Sequence, residues 1–311
     1  MRPFKIGVEL PITEEKGFPG TPRWADILAM SKRVEELGLD SIWIEDHLIF
    51  EHPDQGFQGV WDCWSLLAAI AAVTTRVEIA PLVSCVSFRN PALLAKIADT
   101  VDEISGGRLI LGLGAGWNEV EYRQFGFPYD HRVGRFEEAL QIIHGLLHNG
   151  AIDFEGKYHV ARECELRPRG PRPGGDAPHI PILLGTIGER MLGLTARYAD
   201  QWNGYFSHTG NSAAGLAPLR EKVDAACRAI GRDPATLART ATALVSLTGK
   251  PVHGGTELWN RNLLTGSTEE IAAALRAYAD EGISHLQVWL EPNTLEGLEL
   301  FAPVVELLDK G

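Results

Sequence analysis

Eight short apolar runs, each leading into a segment of helical spacing, constrain the fold of this chain more than any other feature. The runs lie at 5–10, 41–45, 76–83, 109–111, 180–184, 201–205, 240–247 and 285–290. The helical segments lie at 24–37, 61–75, 91–104, 131–148, 189–199, 215–230, 268–281 and 295–308. Compact apolar runs bounded by glycine and proline are the pattern of strands buried on both faces. Strands that alternate with helices pair in parallel through crossover connections. An open, doubly wound sheet would read in much the same way from local pattern. The count of eight, with no break in composition to mark a second domain, points instead to an α/β chain folded as a (β/α)8 TIM barrel, one domain over 1–311. The rhythm fails at about 150–178, where glycines and prolines cluster and the run DFEGKYHV predicts a small hairpin around Glu155 and Gly156. That stretch reads as an inserted excursion.

Composition narrows the partners. A chain of 311 residues, 45% of them hydrophobic, can bury a full core. Forty-one acidic against twenty-nine basic residues leave a formal charge of −12, which argues against nucleic acid and against a basic membrane-binding face. No apolar run approaches the length of a membrane span, and the opening MRPFKIGVEL runs into strand-like sequence without a signal-peptide pattern, so a cytoplasmic location is expected. Cys63, Cys85, Cys164 and Cys227 are widely spaced and form no C-x-x-C pair, which suggests neither a zinc site nor a disulfide framework. His144 and His148 have the spacing of metal ligands on a helix. The residues between them are Gly-Leu-Leu, without the glutamate of H-E-x-x-H, so a helix surface or helix end is expected and no metal. A homodimer is the commonest closed assembly.

The most distinctive stretch is 108–127, RLILGLGAGWNEVEYRQFGF. An apolar strand breaks into Gly112, Gly114 and Gly116, where the backbone can come close to a ligand. Trp117 follows, then Asn118 as a helix N-cap, with Glu119 and Glu121 in the first turn, where negative charge is favoured. A dinucleotide fingerprint needs glycine at 117, and a Walker loop needs Gly-Lys-Ser/Thr; both are absent. A large ring at the mouth of a strand suits a planar ligand. In a barrel the chemistry sits at the C-terminal ends of the strands. Those ends supply Glu9, Asp46, His47, Ser84, Cys85, Gly114, Gly116, Trp117, Gly185, Thr186, Ile187, Gly188, Arg190, Trp202, Asn203 and Glu291. The turn at 185–188 opens a helix and is the better candidate for binding phosphate.

The segments SIWIEDH (41–47), LVSCVSFRNPALLAK (82–96), ISGGRLILGLGAGWNEVEYRQFGFP (104–128), RVGRFEEAL (132–140), PILLGTIGERMLGLTARYADQWN (181–203) and GSTEEIAAALRAYADEGISHL (266–286) together resemble the luciferase-like monooxygenase superfamily. The resemblance is to the branch whose enzymes use the deazaflavin coenzyme F420. It implies an oxidoreductase that transfers a hydride between F420 and a small organic substrate, with His47 as acid or base and Asp46 orienting it. Leu82 and Val83 fall where the family has a bulge with a non-proline cis peptide backing the ring, with Ser84 beside it. Gly114, Gly116 and Trp117 match the turn beside the ring. Gly185, Thr186, Ile187 and Gly188 match the loop that holds the coenzyme phosphate. Arg190, a helix residue just past that turn, is a candidate to pair with the phosphate or equally to face solvent. Trp117, Trp202 and Asn203 become candidates for contact with substrate. The sugar-phosphate dehydrogenases of the superfamily carry a glutamate about where Trp117 stands, which argues against that substrate. Other members consume oxygen with reduced FMN, the reduced flavin coming from a flavin reductase, so an FMN-dependent monooxygenase is the alternative, and a non-catalytic flavin-binding or deazaflavin-binding protein the remoter one. Substrate identity is expected in loops 49–60, 150–178 and 248–265, which have no readable code.

Overall fold

The computed structural model describes residues 2–15, 20–52, 56–172, 178–250 and 262–310. Parts of the three expected substrate loops, at 53–55, 173–177 and 251–261, lie outside the described residues. All eight expected strands form: β1 (Lys5–Glu9), β2 (Ser41–Ile44), β5 (Glu78–Pro81), β7 (Leu111–Gly114), β10 (Ile182–Leu184), β11 (Gln201–Gly204), β12 (Ala238–Ser246) and β13 (His285–Glu291). Two antiparallel hairpins stand outside this series, β3 (Ile49–His52) with β4 (Gly56–Gly59), and β8 (Ala151–Glu155) with β9 (Val160–Glu165). The second is the hairpin predicted from DFEGKYHV. The first falls in a stretch expected to be loop; of its residues 49–52, Glu51 is exposed and the others half-buried. The remaining strand, β6, is the two-residue piece Ser84–Cys85.

The helices start where their caps dictate. Asn90 Oδ1 accepts the N–H groups of Ala92 and Leu93, Pro91 fills the first helical position, and the helix Pro91–Ser105 ends at Gly106 with φ of 67°. Asp62 caps Cys63–Val73 through Ser65 N–H, and Ser267 with Glu270 forms a capping box on Thr268–Asp280. Among the described residues, no helix is long and apolar enough to cross a membrane. Parallel strands joined through these helices make the chain an α/β protein of the (β/α)8 TIM-barrel class.

Two compact units are distinguished along the chain. The first comprises Met1–Pro11, Pro22–Trp43 and Gly185–Gly311. Within it the parallel strands run β2-β1-β13-β12-β11, with Val8 opposite Ile42 and Val288, and Ala241 opposite Leu286. Ile6, Val8, Ile42, Leu244, Leu286 and Val288 are buried in its core. A polar group is buried there too: Trp43 Nε1–H donates to Ser41 Oγ at 2.6 Å, and Ser41 Oγ meets His285 Nε2 at 2.6 Å.

The second unit comprises Ile12–Thr21 and Ile44–Leu184. Its parallel strands run β10-β7-β6, and Ile79 of β5 bridges Leu109. Ser84 pairs with Leu113. Residues 79 and 84 are therefore five positions apart where their partners 109 and 113 are four apart, so one extra residue is bulged out between β5 and β6. The Leu82–Val83 peptide inside the bulge is cis. Gly112 and Gly114 belong to the strand opposite this bulge rather than to the turn after it, a correction to their expected place. A Cβ at Gly112 would lie 2.1 Å from Pro81 O, and one at Gly114 2.7 Å from Val83 Cγ2. The glycines are needed for the bulge to fit.

His285 generates a stability prediction. Burial, and secondarily the Lys5 charge, push its pKa down to about 3, whereas an unfolded chain binds that proton near 6.5. Its folding contribution is therefore constant above about pH 6.5 and destabilising below it, with a slope approaching one proton, about 1.4 kcal/mol per pH unit, until the folded pKa is reached. Urea midpoints measured between pH 7 and pH 5 should fall less steeply in His285→Gln than in the parent protein.

Candidate active site

The bulge sets the site of the second unit. Leu82 N–H donates to Ile44 O at 2.7 Å, which ties the end of the preceding strand to the bulge. Leu82 is buried and Val83 half-buried. Just beyond, Ser84 Oγ and Cys85 N–H both donate to Asp46 Oδ2, at 2.8 and 3.0 Å. Arg89 grips the same carboxylate with both ends of its guanidinium, Nη1 to Oδ2 at 2.6 Å and Nη2 to Oδ1 at 3.1 Å, and reaches Asp62 Oδ1 at 3.0 Å. Burial works against the Arg89 charge, but Asp46 outweighs it, so its pKa is raised. Trp64 Nε1–H donates to Ser84 Oγ at 3.0 Å, which satisfies that hydroxyl from the other side.

Asp46 was expected to orient His47. Its oxygens are instead taken by Ser84, Cys85 and Arg89, so it fastens the 44–47 segment to the bulge. The carboxylate at the His47 ring is Glu121, with Oε1 and Oε2 each 3.1 Å from Nδ1. A carboxylate only accepts, so Nδ1 carries the hydrogen of this bond. Glu121 Oε1 also accepts Leu48 N–H at 2.5 Å and Ile49 N–H at 3.4 Å. Burial works to lower the His47 pKa; the Glu121 hydrogen bond, with the charges of Glu45, Glu121 and Asp46, outweighs it and leaves the pKa raised.

Aromatic rings surround the imidazole. Phe50 lies 4.6 Å and Trp117 5.6 Å from it, centroid to centroid. Trp117 is 64% exposed, an unusual state for a tryptophan packed on two other rings, and it leaves a broad apolar face open beside His47. The backbone below is fixed at Gly116, where φ is 74° and a Cβ would fall 2.1 Å from Tyr122 Oη and 2.6 Å from Cys85 Sγ. Tyr122 Oη donates to Ala115 O at 2.8 Å and meets Cys85 Sγ at 3.2 Å. Burial pushes the Cys85 thiol up to about 12, so it stays protonated. Asn118 holds the N-cap position of the helix Glu119–Phe125, but its side chain does not cap; Nδ2 donates to Ile49 O at 2.8 Å.

The other expected site residues lie in the first unit. Gly185, Ile187 and Gly188 are exposed, and no atom comes within 4 Å of a Cβ built on Gly188. Gly188 is the N-cap of Glu189–Tyr198 and has no side-chain cap, an open helix start of the kind that accepts an anion. Arg190 is exposed one position beyond Glu189, an acid in the same turn. Thr186 is buried, with Oγ1 3.0 Å from Thr195 Oγ1. Trp202 and Asn203, expected to meet substrate, are interior supports instead. Trp202 is 1% exposed and its indole N–H donates to Thr186 O at 2.9 Å. Asn203 Nδ2 donates to Thr240 Oγ1 at 2.9 Å and Gln287 Oε1 at 2.7 Å, and Oδ1 accepts from Thr242 at 3.2 Å. β12 runs alongside β11, with Asn203 opposite Thr240.

Residues 4–252 match the family described as luciferase-like monooxygenase. The chain belongs to the luciferase-like monooxygenase family. Pyrimidine monooxygenase RutA of Cronobacter sakazakii is 30% identical over 191 residues, 58% of this chain and 54% of that protein, so the chain spans about half the length of this curated relative. An F420-dependent secondary alcohol dehydrogenase solved with an F420-acetone adduct superimposes with a TM-score of 0.79 at 19% identity, covering 99% of both chains. Riboflavin lyase RcaE, solved with modified FMN and riboflavin, gives 0.79 at 14% identity over 99% of this chain and 91% of that one. At these identities the structural likeness is one of fold. Enzymes of the family are oxidoreductases that work with a reduced flavin or with F420.

In this luciferase-like protein the residue that sequence reasoning missed is Glu121. Its signal was present: Asn118, Glu121 and Tyr122, at i, i+3 and i+4, share one helix face and are all buried. Reading Glu121 only as a favourable charge in a first turn hid that placement. The histidines at 144 and 148, expected on a helix surface or end, stack at 3.8 Å between ring centroids, and His148 lies tilted against His179 at the same distance. No cluster of metal-binding geometry occurs among the described residues. The four cysteines are free.

Because Asp46 is buried and Arg89 nearly so, Arg89→Met should leave an unpaired buried charge and cost about 3–5 kcal/mol in chemical denaturation at pH 7. Adding Asp46→Asn should recover part of that loss.

Proposed function

We propose that this protein transfers a hydride between the deazaflavin coenzyme F420 and a small organic substrate, with His47 exchanging the accompanying proton. The observation that carries this reading is the state of His47: Nδ1 is anchored on a buried carboxylate, while among the described residues Nε2 has no hydrogen-bond partner and the open face of Trp117 stands beside the ring. A proton-exchanging group must be fixed at one end and free at the other. The surroundings suit a planar ring. Val83, half-buried on glycine-lined backbone, presents an apolar surface, and Ser84 and Leu82 are fixed behind it by their own hydrogen bonds. When bound, F420 supplies a hydride donor or acceptor, since the carbon at ring position 5 excludes the oxygen chemistry of FMN.

The chain's own residues then do the rest. Val83 backs the ring, with Gly114 giving it room. Trp117 and Phe50 line the His47 side with apolar surface, and His47 Nε2 gives or takes one proton at the substrate. The reading is of a single catalytic domain acting in the cytoplasm as a homodimer. A second reading is favoured by the sequence relative, which carries the name of a monooxygenase: reduced FMN with oxygen, and a flavin reductase as partner.

Fluorescence titration with oxidised F420 and, separately, FMN distinguishes the two. Tight F420 binding with weak FMN binding is expected; a preference for FMN moves the assignment to the second reading, where oxygen uptake with a reductase is the assay. Binding of neither overturns both. His47→Ala should keep the affinity for its cofactor and lose roughly 10²- to 10⁴-fold in turnover; unchanged turnover would remove His47 from the chemistry.

A further inference from the structure

Among the buried ionisable groups, one stands against the His47 ring. Glu121 is 1% exposed, on the short helix Glu119–Phe125, and at its position three residues after the N-cap a glutamate commonly turns back to cap its own helix. Here it turns across to the segment after β2 and accepts three donors: His47 Nδ1–H, Leu48 N–H and Ile49 N–H.

We propose that Glu121 is the positioning residue of this site, holding His47 in the tautomer with hydrogen on Nδ1 and so making Nε2 the nitrogen that exchanges a proton with substrate. The proposal rests on the reading of His47 as the proton-exchanging group. Its geometry is over-determined. The two backbone donors come from the residues that directly follow His47, so one carboxylate fixes both where the ring starts and how it is turned. Asn118, from the same helix face, adds a bond to Ile49 O, which pins the segment a second time. The other charged groups near the ring are committed elsewhere: Asp46 to Arg89, Ser84 and Cys85; Glu45 to Thr13 Oγ1 at 2.6 Å; and Glu51 to Arg123 at 3.7 Å. Glu121 is thus the acceptor that decides the tautomer, and its charge favours the imidazolium.

Glu121→Gln provides a discriminating change, because the amide keeps the shape and can still accept Leu48 N–H through its oxygen, while its NH₂ now faces Nδ1 as a donor. A donor there forces Nδ1 to be the acceptor and moves the hydrogen of the neutral ring to Nε2. The test is ¹⁵N NMR of histidine-labelled protein without cofactor, with His47 assigned from the spectrum of His47→Gln. The parent protein should show the Nδ1–H tautomer at high pH. In Glu121→Gln the neutral ring should switch to Nε2–H, and its titration should move down by about one pH unit, a tenfold change in proton affinity. A parent protein with the Nε2–H tautomer overturns the proposal without any variant at 121. So does a folded Glu121→Gln protein with unchanged tautomer and titration, which would leave Glu121 with a backbone-holding role only. Because neither spectrum depends on cofactor or turnover, the outcome is separate from that of the His47→Ala assay.

Discussion

The site depends on a close contact between two strand segments. Where residues 81–83 bulge, their backbone and side chains occupy the space that side chains at 112 and 114 would need, and only glycine at both positions allows it. From that contact the rest follows in order. The bulge ends β5 and starts β6, and β6 delivers Ser84 and Cys85 to the Asp46 carboxylate. Asp46 is the residue before His47, so these bonds fix where the histidine starts. A strand interruption and two missing side chains thus place a histidine that is distant in sequence, through hydrogen bonds that each have a buried partner.

Two carboxylates near one imidazole take different tasks because of what else surrounds them. Asp46 sits among donors that it must satisfy, two from β6 and a guanidinium, and a buried charge without such partners would cost several kcal/mol. It is therefore occupied in joining segments. Glu121 meets only backbone N–H groups and the ring itself, so its charge acts on His47. Proximity in sequence favoured Asp46 for this task; the helix that follows Trp117 brings Glu121 in from 74 residues away.

Membership of the luciferase-like family and the barrel fold are consistent with more than one cofactor, because relatives of the same fold are solved with F420 and with FMN. What this chain adds is local: a half-buried valine on glycine-lined backbone, an exposed tryptophan, and an anchored histidine. These features suit a flat ring and a proton-coupled reaction at its edge.

The sequence by itself determined the alternation of strands and helices, since apolar periodicity, caps such as Asn90 and Asp62, and terminal glycines such as Gly106 act over a few residues. It also determined the hairpin around Gly156 and the presence of His47 and Trp117 at strand ends. Tertiary structure alone decided how those ends are used. It showed Gly112 and Gly114 as space for a bulge, Trp202 and Asn203 as interior supports, and Glu121 rather than Asp46 as the partner of the His47 ring. The reason is physical: a propensity or a cap is satisfied by neighbours along the chain, whereas the partner of a buried polar atom is whichever group the packing brings within about 3 Å, and sequence distance carries no information about that.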